Sequence, residues 1–317
     1  MSRRRRGVVR LWYVLAGLVA TVTTVALGAT HVASADVNTS PSQLVVYNNN
    51  IENMVPQSCY GTNWNLLVTY IKNQPKSPDI FTVQQISNIT QLNALTKRLS
   101  DELPGTYAGK IAIENPGSMG YTSTCGKLKN QQTNAVIYRS DRFTYEAATR
   151  WRSDAPENKT GPCRNLEPTK TSQDRVHNIA VRLHDNIAKK DVSVASIHWA
   201  TNTWNGPDCA DENMKEADDA FDRLGGSLKI LGGDTNATTG KKDWWRDARG
   251  YGFRDPIAEK CGGGPSCPDE HNTTTNSRID FLLVKQGHGF SNVATITQTM
   301  AGGKYSEHRA VTAYVKY

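Results

Sequence analysis

Leu228-Lys229-Ile230-Leu231-Gly232-Gly233-Asp234-Thr235-Asn236 is the stretch whose reading decides the fold. Its apolar run is the length of a buried strand, and the glycine pair followed by Asp234 and Asn236 reads as a turn. One Asp or Asn after a strand is ordinarily a turn former, but here the pattern recurs along the chain. Asn50 and Glu52 follow Val45-Val46, Gln84 and Gln85 follow Ile80–Val83, and His198 follows Val192–Ile197. Asp280 lies inside Arg278-Ile279-Asp280-Phe281-Leu282-Leu283, and Glu307-His308 precede the last strand. An ionisable group beside a buried strand is costly unless it is paired. Six such endings gathered at one sheet edge would form a site.

The intervening sequence alternates helix and strand. Strands are expected from Leu44 to Ile51, at Asp79–Val83, Asn134–Tyr138, Phe143–Trp151, Val176–His184, Asp191–Trp199, Leu228–Leu231, Arg278–Val284, Val293–Thr299 and Arg309–Val315. Trp64, Leu67, Val68 and Ile71 share one helical face, as do Ile89, Leu92, Leu95 and Leu99, and then Met214, Ala217, Phe221 and Leu224. Residues 116–132, rich in Gly, Ser, Thr and Lys, read as a surface loop. Many strands with interspersed helices suggest packed sheets covered by helices, and no composition shift marks a linker.

At 317 residues and 38% hydrophobic content the chain can bury a large core, which excludes bulk disorder. Residues 1–35 contribute five arginines and no acid, so a net charge of +7 falls to +2 without them and gives no argument for nucleic acid. That segment has the pattern of a secretory signal, namely an arginine block at Arg3–Arg6, an uncharged run over 11–30 and Ala33-Ser34-Ala35. A mature, secreted domain over 36–317 is expected, with a membrane anchor through 11–30 as the alternative. All six cysteines (Cys59, Cys125, Cys163, Cys209, Cys261, Cys267) fall beyond it without zinc-site spacing, and in an exported chain they read as disulfides. The short Gly-rich link between Cys261 and Cys267 suits a small closed loop. Cys59–Cys125 and Cys163–Cys209 would complete a sequential pairing, one of 15 possible connectivities.

Taken in order, the strand ending in Asn50, Asp79-Ile80 with Gln84-Gln85, Asn134–Arg139, the strand ending in His198, Gly233-Asp234-Thr235-Asn236, Arg278–Phe281 and Ser306-Glu307-His308 resemble the endonuclease/exonuclease/phosphatase superfamily. This resemblance runs from about Leu44 to Val315. It implies an α/β fold, a four-layer α/β/β/α sandwich of two packed mixed β-sheets flanked by helices. It also implies a divalent-metal-dependent phosphodiesterase using Mg2+, or Mn2+ or Ca2+. By resemblance, Asn50 would lie near metal and phosphate, Asp234 would position or deprotonate the attacking water, and Asn236 would orient the phosphate or Asp234. His308 would contact the phosphate and move a proton, Asp280 would pair with it, and His198 would be a candidate general acid.

Two metal positions depart from the family pattern: Gln85 stands where a Glu is usual, and Glu307 where an Asp is usual. Losing one carboxylate weakens a hard-cation site. Glu52, expected on the same strand face as Asn50, is the candidate replacement, with Glu307 as a second carboxylate and Gln85 as a neutral ligand. A nuclease hydrolysing DNA is the first expectation. A sphingomyelinase or phospholipase acting on a lipid headgroup is the alternative, together with a catalytically weakened binding protein of the same fold. Lys127, Lys129, Arg139, Arg142, Arg150 and Arg152 are candidates to line a phosphate groove. Trp244-Trp245 are read first as packing a helix onto a sheet, and otherwise as a membrane wedge or a base-stacking pair. No obligate protein partner is expected, and the chain is expected to be a monomer.

Overall fold

A computed structural model describes residues 35–53, 62–117, 130–156, 163–165 and 174–317. In chain order the elements are β1 (Gln43–Asn50), α1 (Asn65–Lys72), β2 (Ile80–Ile86), α2 (Ile89–Glu102), β3 (Tyr107–Ile111), β4 (Thr133–Arg139) and β5 (Phe143–Arg152). There follow β6 (Asp154–Pro156), β7 (Cys163–Asn165), β8 (His177–Asp185), β9 (Lys190–His198), α3 (Ala210–Leu224) and β10 (Leu228–Asp234). The last are α4 (Trp244–Gly250), β11 (Phe253–Arg254), α5 (Pro256–Lys260), β12 (Asp280–Lys285), β13 (Gly289–Thr295) and β14 (Val311–Lys316). Among the described residues these strands form two six-stranded sheets, ordered β13-β14-β1-β2-β4-β3 and β11-β12-β10-β9-β8-β5, and a separate β6–β7 pair. Each large sheet has one parallel pair, β1–β2 in the first and β9–β10 in the second.

Side-chain alternation produces the layers. Val45, Tyr47, Phe81 and Val83 cluster with Leu67, Val68 and Ile71 of α1 and Leu92, Leu95 and Leu99 of α2. Their strand neighbours Leu44, Val46 and Ile80 instead join Val192, Val194, Leu228, Ile230, Leu282 and Val284 of the other sheet. On that sheet's far side, Ile197, Leu231 and Phe281 pack under Met214, Ala217 and Phe221 of α3 and Trp244 of α4. Each fully buried side chain of this size stabilises the fold by about 1.5–3 kcal/mol. At the start of α2 the Asn88 side chain accepts the Gln91 N–H at 3.0 Å, a cap typically contributing about 1 kcal/mol. The expected four-layer sandwich is the observed architecture.

Several expectations are corrected. Gly232 and Gly233 lie within β10 and make no turn. A Cβ on Gly232 would meet Thr82 Oγ1 at 2.0 Å, and one on Gly233 would meet Ile197 Cγ1 at 2.2 Å, so close approach explains these glycines. The strand expected at Val293–Thr299 is Gly289–Thr295, with a bulge between Ser291 and Ala294. Tyr107–Ile111 is a strand that the sequence reading left out.

Arg139 and Arg142 are buried structural residues and line no groove. Arg139 pairs with Asp79 at 2.9 Å, while Arg142 pairs with Asp185 at 2.7 Å and Asp79 at 3.3 Å. The Tyr317 hydroxyl also donates to Asp185. Trp244 is buried and meets Trp199 and Phe281 edge-on, as the packing reading expected.

Cys163–Cys209 and Cys261–Cys267 are disulfides, and no described cysteine is free. The expectations for residues 1–34, Cys59, Cys125, Lys127 and Lys129, and most of the loop over 116–132, lie outside the described residues. No described helix is long and apolar enough to cross a membrane.

Candidate active site

Between the sheets, apolar filling gives way to polar residues toward one edge. Along β1 the inward positions run Leu44, Val46, Asn48, Asn50; along β2, Ile80, Thr82, Gln84; along β9, Val192, Val194, Ser196, His198. On β10 they run Leu228, Ile230, Gly232, Asp234, and antiparallel β12 begins with Asp280 at the same edge. An amide and hydroxyl layer comes first. Gln84 Nε2 donates to Asn48 Oδ1 at 2.9 Å and to Ser196 Oγ of the opposite sheet at 3.0 Å, and Thr82 Oγ1 donates to Asn48 Oδ1 at 2.8 Å. Gly232 leaves the space that Asn48 and Thr82 fill. Most polar atoms of this layer are paired, but Asn48 Nδ2 and Gln84 Oε1 have no hydrogen-bond partner among the described residues.

The ionisable residues form the next layer. His198, Asp234 and Asp280 are directly opposite one another on three adjacent strands. Asp234 Oδ2 accepts from Asn50 Nδ2 of the other sheet at 2.9 Å, and Oδ1 accepts the Asn236 backbone N–H at 2.9 Å. His308 Nδ1 lies 2.9 Å from Asp280 Oδ2 and 3.8 Å from Asp234 Oδ2. The Asn236 side chain donates to the Trp199 carbonyl at 2.9 Å, so its link to Asp234 runs through its backbone. Asn50, Asp234, Asn236, Asp280, His198 and His308 are thus brought together.

The two histidines are driven in opposite directions. Burial opposes charge on His308, but Asp280 and then Asp234 outweigh it and raise its pKa to about 10, so it is an imidazolium at neutral pH. Burial dominates at His198 and lowers its pKa to about 3; Asp234 pulls it up, while Arg175 and His308 push it further down. His198 Nε2 lies 3.5 Å from Asp234 Oδ2, and its Nδ1 has no hydrogen-bond partner among the described residues.

The metal candidates separate. β1 ends at Asn50, and Glu52 has φ 51°, so it does not continue the strand face as expected. Its buried carboxylate nevertheless reaches the His308 loop, where Oε2 accepts the Glu307 N–H at 2.7 Å and lies 3.3 Å from Ser306 Oγ. The Glu52 N–H in turn donates to Asn50 Oδ1 at 3.1 Å. The Glu307 carboxylate is half exposed and pairs with Lys304 at 3.2 Å. Gln85 is half-buried with φ 61°, where the β2–β4 register shifts, and its side chain bonds no described residue.

One ligand atom from each of Asp234, Asp280 and His308 lies within 4.8 Å of the others. An imidazolium has no lone pair for a metal, however, and the Asp280 contact already engages Nδ1. The oxygen donors suited to a hard cation are therefore Asn50 Oδ1 and the Glu52 carboxylate. The donor set fits a divalent ion: Glu52, Asp234 and Asp280 place three buried carboxyl groups against one imidazolium, an excess of two.

The sequence reading missed three contributors. Arg175 occupies a 3-10 turn ahead of β8, where its Nη2 donates to Thr201 Oγ1 at 3.3 Å and its charge acts on His198. The discoverable signal was its place at the start of an antiparallel strand, which shares an edge with the ends of parallel ones. Ser306 and Thr273, buried hydroxyls bonded to the site's backbone, carry no signal beyond their residue type.

No family model matches the chain, and no curated protein matches it. Solved structures do. The human Nocturnin catalytic domain, with bound sulfate, superposes with a TM-score of 0.61 at 17% identity, covering 87% of this chain and 94% of that one. D. rerio TDP2 complexed with single-strand DNA product gives 0.58 at 12% identity, over 87% of this chain and all of the other. Bacteroides thetaiotaomicron mannosyl-6-phosphatase gives 0.56 at 17%, over 86% and 100%. An endonuclease/exonuclease/phosphatase family protein from the same organism gives 0.58 at 16%, over 87% and 95%.

Proposed function

The chain has the endonuclease/exonuclease/phosphatase fold, and from that premise we propose a divalent-metal-dependent phosphoesterase, more finely a secreted nuclease that hydrolyses DNA phosphodiesters. The observation that carries the reading is the charged His308, held by Asp280 beside Asp234 where the two sheets open. A scissile phosphate needs a nearby cation, a positioned water and a proton source for the leaving oxygen. His308, with Nδ1 engaged by Asp280, presents Nε2–H as charge stabiliser and general acid. Burial keeps His198 neutral at working pH, so the acid role is assigned here to His308, and His198, with Nε2 3.5 Å from Asp234 Oδ2, is a neutral neighbour of that carboxylate.

Asp234, oriented by Asn50 and the Asn236 N–H, positions the attacking water and accepts its proton. Glu52 and Asn50 would hold the ion, with Gln85 as a neutral oxygen ligand nearby in sequence to the bulge. When bound, that ion supplies Lewis-acid polarisation of the phosphoryl oxygens. The DNA-bound state of the D. rerio TDP2 structure supports nucleic acid as the substrate class. The Cys163–Cys209 and Cys261–Cys267 disulfides support an oxidising compartment.

A second reading, a weakened relative that binds anions without cleaving them, is favoured by one observation: with Gln85 neutral and Glu307 turned outward to Lys304, Glu52 is the one buried carboxylate among the three candidate replacements at the metal position. Incubation with DNA, RNA, sphingomyelin and a sugar phosphate, each with Mg2+, Mn2+ or Ca2+, tests the choice. DNA cleavage that EDTA stops is expected. Binding without turnover of any substrate would select the second reading.

A further inference from the structure

The geometry points to Thr273 as a positioning residue that sets the Asp280–His308 contact from outside the two strands carrying those side chains. Thr273 is fully buried in the segment between Cys267 and β12. Its Oγ1 accepts two backbone N–H groups, from Ile279 at 3.0 Å and from Asp280 at 3.0 Å. Asp280 faces Asp234 of β10 on one side. On the other, β11 pairs with Lys285 and Val284, so among the described residues no strand reaches the first residues of β12. The threonine hydroxyl replaces the missing strand. Without it, two buried donors at the base of Asp280 lose their acceptor, and the backbone shifts to find another.

The same residue holds the other half of the pair. Its carbonyl accepts the N–H of Arg309, the residue after His308, at 2.6 Å, and the Arg309 guanidinium donates to the neighbouring Asn272 carbonyl at 2.9 Å. Thr273 thereby fixes Asp280 through its side chain and the His308 loop through its main chain. Its own N–H donates to Ser277 at 3.0 Å, closing the turn. An imidazole–carboxylate contact of 2.9 Å loses strength quickly with a shift of half an ångström, so a group anchoring both ends controls it.

The catalytic consequence rests on the phosphoesterase reading, but the geometric one does not. Thr273→Val keeps the shape and the main-chain bond to Arg309 while removing the acceptor, and Thr273→Ser restores it. The Nδ1–H proton of His308, shielded from exchange by Asp280 at 2.9 Å, should give a far-downfield proton resonance, to be assigned by its loss in His308→Gln. In Thr273→Val that resonance should vanish or move upfield, and kcat should fall by about ten- to a hundredfold with KM within about twofold. Thr273→Ser should keep both. Thr312→Val, which removes a buried hydroxyl bonded to the Val46 carbonyl, controls for general destabilisation and should keep the resonance.

A resonance unchanged in Thr273→Val overturns the inference, as does its loss in the Thr312 control. Should Thr273→Val not fold, hydrogen exchange at the Asp280 amide of the unaltered protein decides. Slow exchange supports the anchoring, and exchange as fast as in a loop overturns it. If the resonance responds as described but no variant hydrolyses any phosphoester, the functional reading fails and the anchoring role stands.

Discussion

Replacing Asp280 with asparagine keeps the shape of the side chain beside His308 and removes its charge. At an effective dielectric of about 20, an imidazolium gains about 6 kcal/mol from a carboxylate at the 2.9 Å of Asp280, and about 4 kcal/mol from one at the 3.8 Å of Asp234. The substitution removes the larger attraction and leaves burial, which opposes the charge. At about 1.4 kcal/mol per pKa unit the lost attraction is worth about four units. His308 is 15% exposed, and water returns part of that. The pKa should therefore fall from about 10 to about 6–7.

At pH 8 most Asp280→Asn molecules then lack the imidazolium, and hydrolysis should drop by at least about tenfold, with partial recovery near pH 6. Titration of the His308 Cε1–H signal by NMR, alongside a pH–rate profile, measures both effects. A His308 that stays protonated above pH 9 in Asp280→Asn would refute the electrostatic assignment.

Four other outcomes are expected. Glu52→Gln should abolish calorimetric binding of Mg2+ or Mn2+, whereas Gln85→Glu should tighten it; ion binding unchanged in Glu52→Gln removes Glu52 from the site. Arg142→Ala leaves the buried Asp79 and Asp185 short of a partner and should cost about 3–5 kcal/mol in urea unfolding, and a loss below about 1 kcal/mol would contradict the network. His198, with its folded pKa lowered to about 3, makes the unfolded chain bind the extra proton, so stability should fall as pH drops from about 6.5 toward 3. That acid slope should shrink in His198→Gln. For His308 the sign is reversed: its stabilisation is present below pH 6.5 and lost as pH rises through about 10, so alkaline unfolding scans of His308→Gln should lack that loss.

The polar ends of the inward strand faces were legible in the sequence because alternation carries them directly. Val192, Val194, Ser196 and His198 share a face whatever the sheet order, and so do Leu44, Val46, Asn48 and Asn50. What escaped depends on partners distant in sequence. A glycine pair signals a turn locally, yet Gly232 and Gly233 are strand residues because Thr82 and Ile197 press against them.

Arg139 and Arg142 resembled surface charge because Asp79 and Asp185 lie far from them along the chain. Tyr107–Ile111 hid as a strand because only its two ends are buried, while Gly109 makes room for Leu92. Glu52 lies past the end of β1, so period-two reasoning failed there. Its contact with the Glu307 N–H depends on a left-handed turn that non-glycine residues adopt at a cost of about 1–3 kcal/mol.

The central claim is that a charged His308, buried carboxylates and a divalent ion act together on a phosphodiester. Its most direct test is the rate of oligonucleotide cleavage by the unaltered protein and by His308→Gln, measured across a titration of Mg2+ and Mn2+. The account predicts turnover that appears with the ion, disappears with chelator and drops by at least about 10²-fold in the variant. Cleavage at equal rates in both proteins, or none by the unaltered protein with any ion, would contradict it.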